Sequence, residues 1–178
     1  MPAVELSFPA DAIVVVAGVP GAGKTTLIRR AVDRDDARVV DTDDVREAGG
    51  RRLLYAGHYA RIAAAVVGRR PAVIHSRGTH PAARRAIATL AALRGRPAHL
   101  VMIDADRDEA EAGQRARGRT VEAAEMDRQL ARWRRLMARR PENEGWASVT
   151  VLDRRQAARV ERLAFVPAVQ AAPAAATI

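Results

Sequence analysis

Two kinds of apolar segment alternate along this chain. The first is short, continuous and rich in β-branched residues: Ala12 to Ala17 (AIVVVA), Ala37 to Asp41 (ARVVD), Ala72 to Ser76 (AVIHS), Ala98 to Ile103 (AHLVMI) and Ser148 to Leu152 (SVTVL). Short runs of this kind predict strands, and continuous apolar ones predict strands buried on both faces. The second kind carries its apolar residues at helical spacing. It covers Thr25 to Val32, Tyr55 to Val67, and Pro81 to Leu93, with proline suitably at the start. The polar, arginine-rich stretches Asp108 to Arg117 and Val121 to Ala138 follow, then Arg155 to Leu163. Strand and helix in alternation predict an α/β fold, with a five-stranded parallel sheet between two helical layers. No internal repeat or linker interrupts the pattern, so residues 1–165 are expected to form one domain. The Ala/Pro-rich segment 166–178 reads as a frayed or disordered tail.

Composition narrows the class. The 178 residues suit a single domain, and 48% hydrophobic with 29% charged residues is a globular balance. The absence of cysteine excludes a disulfide framework and a thiolate metal site. His58, His75, His80 and His99 show no metal-ligand spacing. No apolar run approaches the ~18 residues of a membrane span. The N-terminus lacks the marks of a signal peptide, so a cytoplasmic location is expected. The net charge of +9 invites a polyanionic partner. Arginine in place of lysine almost throughout, with abundant alanine, reads equally well as a compositional bias. Aromatic content of 3% argues against a broad base-stacking platform.

The first candidate chemistry lies between the first strand and the first helix. Gly18-Val19-Pro20-Gly21-Ala22-Gly23-Lys24-Thr25 fits the phosphate-loop pattern G-x-x-x-x-G-K-[ST], and Lys24 is the only lysine in the chain. Glycines let the backbone bend tightly and aim N–H groups at phosphate oxygens. A compact ammonium reaches between β- and γ-phosphates where a planar guanidinium does not fit. Thr25 would place its hydroxyl on Mg²⁺, and Thr26 opens the following helix.

A second constellation, Asp41-Thr42-Asp43-Asp44-Val45-Arg46, leaves the second strand. Ligands of open parallel sheets sit beyond the carboxyl ends of the strands, so these acids are expected to face the same cleft. A carboxylate there can take the proton of an attacking hydroxyl. Arg46, one helical turn beyond Asp43, can clamp a phosphate on the acceptor. The same acids also suit a helix N-terminus, with Asp44 as the cap. The third constellation is Arg115-Ala-Arg117-Gly-Arg119. Arginines two apart in a glycine-broken segment do not share a helical face. They suit a lid, placed at about 107–121, that spreads positive charge over a transferring phosphoryl group. A solvated basic face is the alternative.

With these motifs in place, the chain resembles the P-loop kinases, and within them the polynucleotide 5′-kinase group. The match rests on Gly18 to Thr25, the Asp-Asp-x-Arg unit Asp43 to Arg46, the lid region Gln114 to Val121, and Pro141-Glu-Asn-Glu-Gly-Trp146. Zeta-toxin-like and gluconate-kinase-like enzymes share the loop, the second-strand carboxylate and the lid. The resemblance implies a P-loop NTPase three-layer sandwich. It also implies an ATP- and Mg²⁺-dependent kinase acting on a hydroxyl acceptor, a polynucleotide 5′-hydroxyl or a small molecule. Lys24 and Thr25 would hold ATP·Mg²⁺ and Asp43 would be the general base. Asp41, Arg46 and Arg77 would meet the acceptor, and Arg115 or Arg119 would act from the lid. A nucleotide-binding regulator with slow ATPase activity is the rival class. No guanine-reading signature is present, which favours ATP. One departure stands out. The acidic turn usual after the third strand is here His75-Ser-Arg77-Gly-Thr79, so ordering of the magnesium's water shell would fall to Asp41, Asp43 or Asp104, unless the metal geometry itself differs.

Overall fold

The structure, a computed structural model, describes residues 4–41, 51–118, 121–139 and 141–167, with backbone alone over 51–55. Its strands are β1 (Val4–Pro9), β2 (Ile13–Gly18), β3 (Arg38–Val40), β4 (Ala72–Ser76), β5 (Ala98–Ile103), β6 (Ser148–Leu152) and β7 (Val160–Val166). Its helices are α1 (Lys24–Ala31), α2 (Arg51–Val67), α3 (Pro81–Leu93), α4 (Arg107–Arg115), α5 (Ala123–Ala138) and α6 (Arg154–Arg159), with a 3₁₀ turn at Pro141–Glu144.

The main sheet is five-stranded and parallel throughout, in the order β3-β4-β2-β5-β6. Its central strands β2 and β5 are buried along their whole length, because helices cover both faces and only apolar, β-branched residues fit there. Val14, Val15, Val16, Leu100 and Val101 are fully enclosed, each worth about 1.5–3 kcal/mol against exposure. From β2 the chain moves in one direction to β3; from β4 it moves in the other to β5. Right-handed crossovers therefore put α1 on one face and α2 and α3 on the opposite one. The reversal falls between β2 and β4, and a crevice opens there beyond their carboxyl ends. Residues 18–25 leave β2 at that point.

The five expected strands match β2 to β6 to within two residues at each end. Two further strands were not legible. β1 and β7 pair in parallel as a separate two-stranded sheet, with Leu6 opposite Leu163 and Phe8 opposite Phe165. The expected helix Arg155 to Leu163 is corrected accordingly. It is only α6, and the chain turns extended at Val160. Asp153 and Gln156 form a capping box that starts the helix at Arg154. Val160, Leu163 and Ala164 are buried because β1 is there to receive them. β7 also runs through Val166, while the expected disordered tail falls, over 168–178, outside the described residues.

Two arginines, Arg96 buried and Arg30 at the surface, close the joints between elements. Arg96 donates to the carbonyls of Asp11, Ala65, Val66, Gly68 and Arg70 at 2.5–3.0 Å, satisfying the orphan carbonyls at the end of α2. Arg30 of α1 donates to the carbonyls of Ala157 and Val160, at 2.6 and 3.0 Å. Among the described residues no helix is long and apolar enough to cross a membrane.

Candidate functional site

The loop from Gly18 to Thr25 enters α1 through two left-handed glycines, Gly21 (φ 88°) and Gly23 (φ 107°). They face different surroundings. A Cβ on Gly21 would lie 2.0 Å from the Ala110 carbonyl oxygen, whereas one on Gly23 would meet nothing within 4 Å. The loop is thus packed on one side and open on the other. α4 and α6 close their N-termini with capping boxes, Asp106 with Glu109 and Asp153 with Gln156. α1 has no side-chain cap and no acid in its first turn. Its leading N–H groups and its dipole are thereby left to an anion, and the open cradle fits a phosphate chain. Val19 and Ala22 are core residues that anchor the loop, with Pro20 half-buried between them. Lys24 is buried and donates Nζ–H to the carbonyls of Gly18 (2.7 Å) and Val19 (2.9 Å), so its ammonium lies folded along the loop.

Arg117 approaches the loop from the turn after α4. Its guanidinium donates to Thr25 Oγ1 at 3.3 Å and to Thr26 Oγ1 at 2.9 Å. Of the two lid arginines among the described residues, Arg115 and Arg117, this is the one placed at the loop. Arg115 still belongs to α4, is exposed, and lies 3.8 Å from the Glu111 carboxylate; Arg119 lies outside the described residues. Spacing alone could not choose among the three. The choice depends on where α4 ends and on the left-handed turn at Gly118 (φ 62°).

On the other side of the crevice, Asp41 leaves β3 and meets His75 of β4, with Oδ1 and Nδ1 2.5 Å apart and both residues buried. His75 stands at the strand end where the family's acidic turn was missing, and it holds Asp41. His58 of α2 is buried nearby. Burial, then Arg61 and His75, push its pKa below 6.5 against the opposing pull of Asp41. Arg77 is exposed at the end of β4. Asp104, beyond β5, accepts from Trp133 Nε1 at 2.8 Å. Asp43, Asp44 and Arg46 lie outside the described residues. Of the three carboxylates considered for the magnesium shell, Asp41 is thus paired with His75 and Asp104 with Trp133.

The Pro141 to Trp146 turn has a structural task. Glu144 receives a bidentate pair from buried Arg84, Nε at 2.8 Å and Nη2 at 2.7 Å, and Arg84 also donates to the Gly78 carbonyl. One guanidinium thereby ties α3, the loop after β4 and the 3₁₀ turn together. Burial of Glu144 disfavours its charge, but the hydrogen bonds and charge of Arg84 outweigh this and hold its pKa below 4.5.

No curated protein matches the chain in sequence. Solved structures match in fold. A gluconokinase from Sinorhizobium meliloti 1021 superposes with a TM-score of 0.62 at 16% identity, over 86% of this chain and 89% of that one. Kti12 of Chaetomium thermophilum, solved with ADP-AlF3, gives 0.53 at 21% identity over 83% and 94%. A structure from the PezAT chromosomal toxin–antitoxin system of Streptococcus pneumoniae gives 0.55 at 13% identity over 85% and 71%. At these identities the likeness is one of fold, and the fold is that of the P-loop NTPases. A family model described as an AAA domain matches residues 13–141, which hold the whole phosphate loop and four of the five strands of the main sheet, and the chain therefore belongs to that family, AAA_33.

Proposed function

We propose that this chain is an ATP-dependent kinase that moves a γ-phosphoryl group to a hydroxyl acceptor, with a polynucleotide 5′-hydroxyl as the favoured acceptor. The observation that carries the reading is the approach of Arg117 to the same loop that holds Lys24. One cation, Lys24, belongs to the loop itself, and a second, Arg117, reaches the threonines at the end of the loop from the turn after α4. That suits a group whose charge is spread over three oxygens as it passes between two others. A plain nucleotide switch would need no acceptor base such as Asp43 and no acceptor clamp such as Arg46.

The residues take these roles. Residues 18–26 cradle the phosphates, chiefly through the backbone N–H groups after Pro20, which has none, and Lys24 swings from the loop carbonyls to the β- and γ-oxygens. Thr25 Oγ1 would hold Mg²⁺, which neutralises phosphate charge when bound. Arg117 leaves the two threonine hydroxyls for the γ-phosphoryl oxygens, with Arg115 or Arg119 as a further cation of the lid. Asp43 takes the acceptor's proton as the acceptor oxygen bonds to γ-phosphorus and the bond to the bridging oxygen breaks, releasing ADP. Asp41, fixed by His75, shapes the acceptor side together with Arg46 and Arg77. The net charge of +9 suits a polyanionic acceptor, and Arg46, three residues beyond Asp43 in the chain, would clamp its phosphate.

The test is label transfer from γ-labelled ATP to a panel of 5′-hydroxyl DNA and RNA, nucleotide sugars, gluconate and aminoglycosides. Transfer to the 5′-hydroxyl oligonucleotides is expected. Transfer only to a small molecule would replace the acceptor and keep the kinase. Hydrolysis of ATP at one rate with every acceptor, and no labelled product, would overturn the kinase reading in favour of a regulator.

A further inference from the structure

α5 and its C-cap carry four arginines in one line. Arg128, Arg132, Arg135 and Arg139 are spaced by four, three and four residues, and all are exposed. At 100° per residue they fall within about 60° of arc and along about 16 Å of helix. One flank of the line is small, with Ala124 and Ala138 exposed and Ala131 half-buried, and half-buried Glu125 lies on the other. The other side of the helix is fixed. Met126, Leu130, Trp133 and Leu136 are buried, and Trp133 is bonded to Asp104 beyond β5. α5 therefore holds the line outward.

The charge on this line is largely uncompensated. Arg128 lies 2.9 Å from Glu125, whose charge also feels Arg132; Arg135 and Arg139 have no salt-bridge partner among the described residues. Asp127, on the same helix, is taken by Arg107. The helix dipole favours cations in the last turn, which accounts for Arg135 and Arg139 but not for Arg132.

We propose that this line of arginines is a docking track for the phosphodiester backbone of a single-stranded nucleic acid. The proposal rests on the kinase reading above and deepens it by naming how its acceptor is held. Successive guanidiniums stand about one helical turn, ~5.4 Å, apart, close to the separation of neighbouring phosphates on an extended strand. Each can grip a phosphate with two N–H groups. A single row of charge follows a single backbone, and Arg134, about 120° away around the helix, adds no second row. The scarcity of aromatic residues fits contacts to phosphate rather than to bases. α5 follows the turn that carries Arg117 in the chain.

The test measures binding of a fluorescein-labelled oligothymidylate to the full chain by anisotropy, without ATP, from low to moderate salt. The parent is expected to bind with a steep salt dependence. R132A/R135A/R139A should lower the log–log slope by about 2, at roughly 0.7 per lost phosphate contact on a single strand, and weaken binding at least about tenfold at moderate salt. R132K/R135K/R139K, which keeps the charge, should retain most of the slope. Equal affinity and slope for the parent and the alanine variant would overturn the proposal. So would a parent that binds no oligothymidylate at low salt, or one that binds anionic phosphatidylserine vesicles instead. Because binding is read without ATP, a chain that binds the strand but phosphorylates nothing would fail the kinase reading alone, and a kinase that ignores the strand would fail the track alone.

Discussion

Gly113 of α4 and Gly21 of the phosphate loop touch backbone to backbone. A Cβ on Gly113 would stand 2.2 Å from the Gly21 carbonyl oxygen, and a Cβ on Gly21 2.0 Å from that of Ala110. The loop's curvature is therefore braced from outside by the helix that leads to Arg117. Gly113→Ala should gain about 1 kcal/mol of helix propensity and lose more to the clash, since overpacking costs typically 1–3 kcal/mol. Urea unfolding and titration with a fluorescent ATP analogue read the two consequences, and weakened nucleotide binding is expected with the loss of stability. A variant as stable as the parent, binding nucleotide equally well, would show that the contact constrains nothing.

Arg117→Ala should lower kcat by about 10²-fold or more, with a smaller change in ATP KM, because a cation aimed at the transferring group acts mainly in the transition state. Arg117→Lys should recover only part of the loss, since an ammonium lacks the guanidinium fork. Arg115→Ala, which removes an exposed side chain on α4, should have the smaller effect of the two alanine variants. Steady-state kinetics on the three variants separates them. The reverse ranking would return the lid role to Arg115.

Lys24→Ala should abolish phosphoryl transfer, a loss on the order of 10²-fold or more, while the sheet survives. The side chain bonds the loop's own carbonyls, so circular dichroism should show an intact fold. ATP turnover at the parent rate in the folded variant would remove Lys24 from the chemistry.

Arg84→Met should cost about 3–5 kcal/mol, because it strands a buried carboxylate without its cation. The pH dependence follows from the lowered pKa of Glu144. A depressed carboxylate contributes stability that is present above its ordinary value of 4.5 and is lost as pH falls through its folded value. The parent should therefore lose stability on acidification below about pH 4.5, and Glu144→Gln should flatten that limb. Urea midpoints against pH check both variants.

Two buried histidines act in a higher window. Burial lowers the pKa of His99, and burial with Arg61 and His75 lowers that of His58, both from 6.5. The unfolded chain then binds protons that the folded chain refuses, so stability should fall as pH drops below 6.5. His99→Gln and His58→Gln should each reduce the slope of unfolding free energy between neutral pH and the onset of carboxylate titration. A slope unchanged in both variants would locate the dependence elsewhere.

Much of this molecule is legible in its sequence, for physical reasons that can be named. Ala72 to Ser76, Pro81 to Leu93, Ala98 to Ile103 and Ser148 to Leu152 have the predicted bounds, because apolar runs covered on both faces and a proline at a helix start are local signals. The phosphate loop is likewise local, its glycines and lysine being consecutive. What escaped depends on distant partners. Val160 to Leu163 reads as the end of a charged helix and becomes strand only because β1 lies beside it. His75 could not be matched to Asp41 across 34 positions, nor Arg84 to Glu144 across 60. Arg117 could not be told from its neighbours before the end of α4 was known.

The pairing of β1 with β7 has a temporal consequence. Val4 to Pro9 emerge early in synthesis and find their partner only when Val160 to Val166 follow, about 150 residues later, which takes roughly ten to thirty seconds on a ribosome. Until then Phe8, almost wholly enclosed in the finished molecule, has neither Phe165 nor its strand to pack on. The five-stranded sheet can be complete before this clasp closes. A nascent chain halted after β6 would therefore display a lone apolar strand with an open edge, the kind of surface to which chaperones and other incomplete copies adhere.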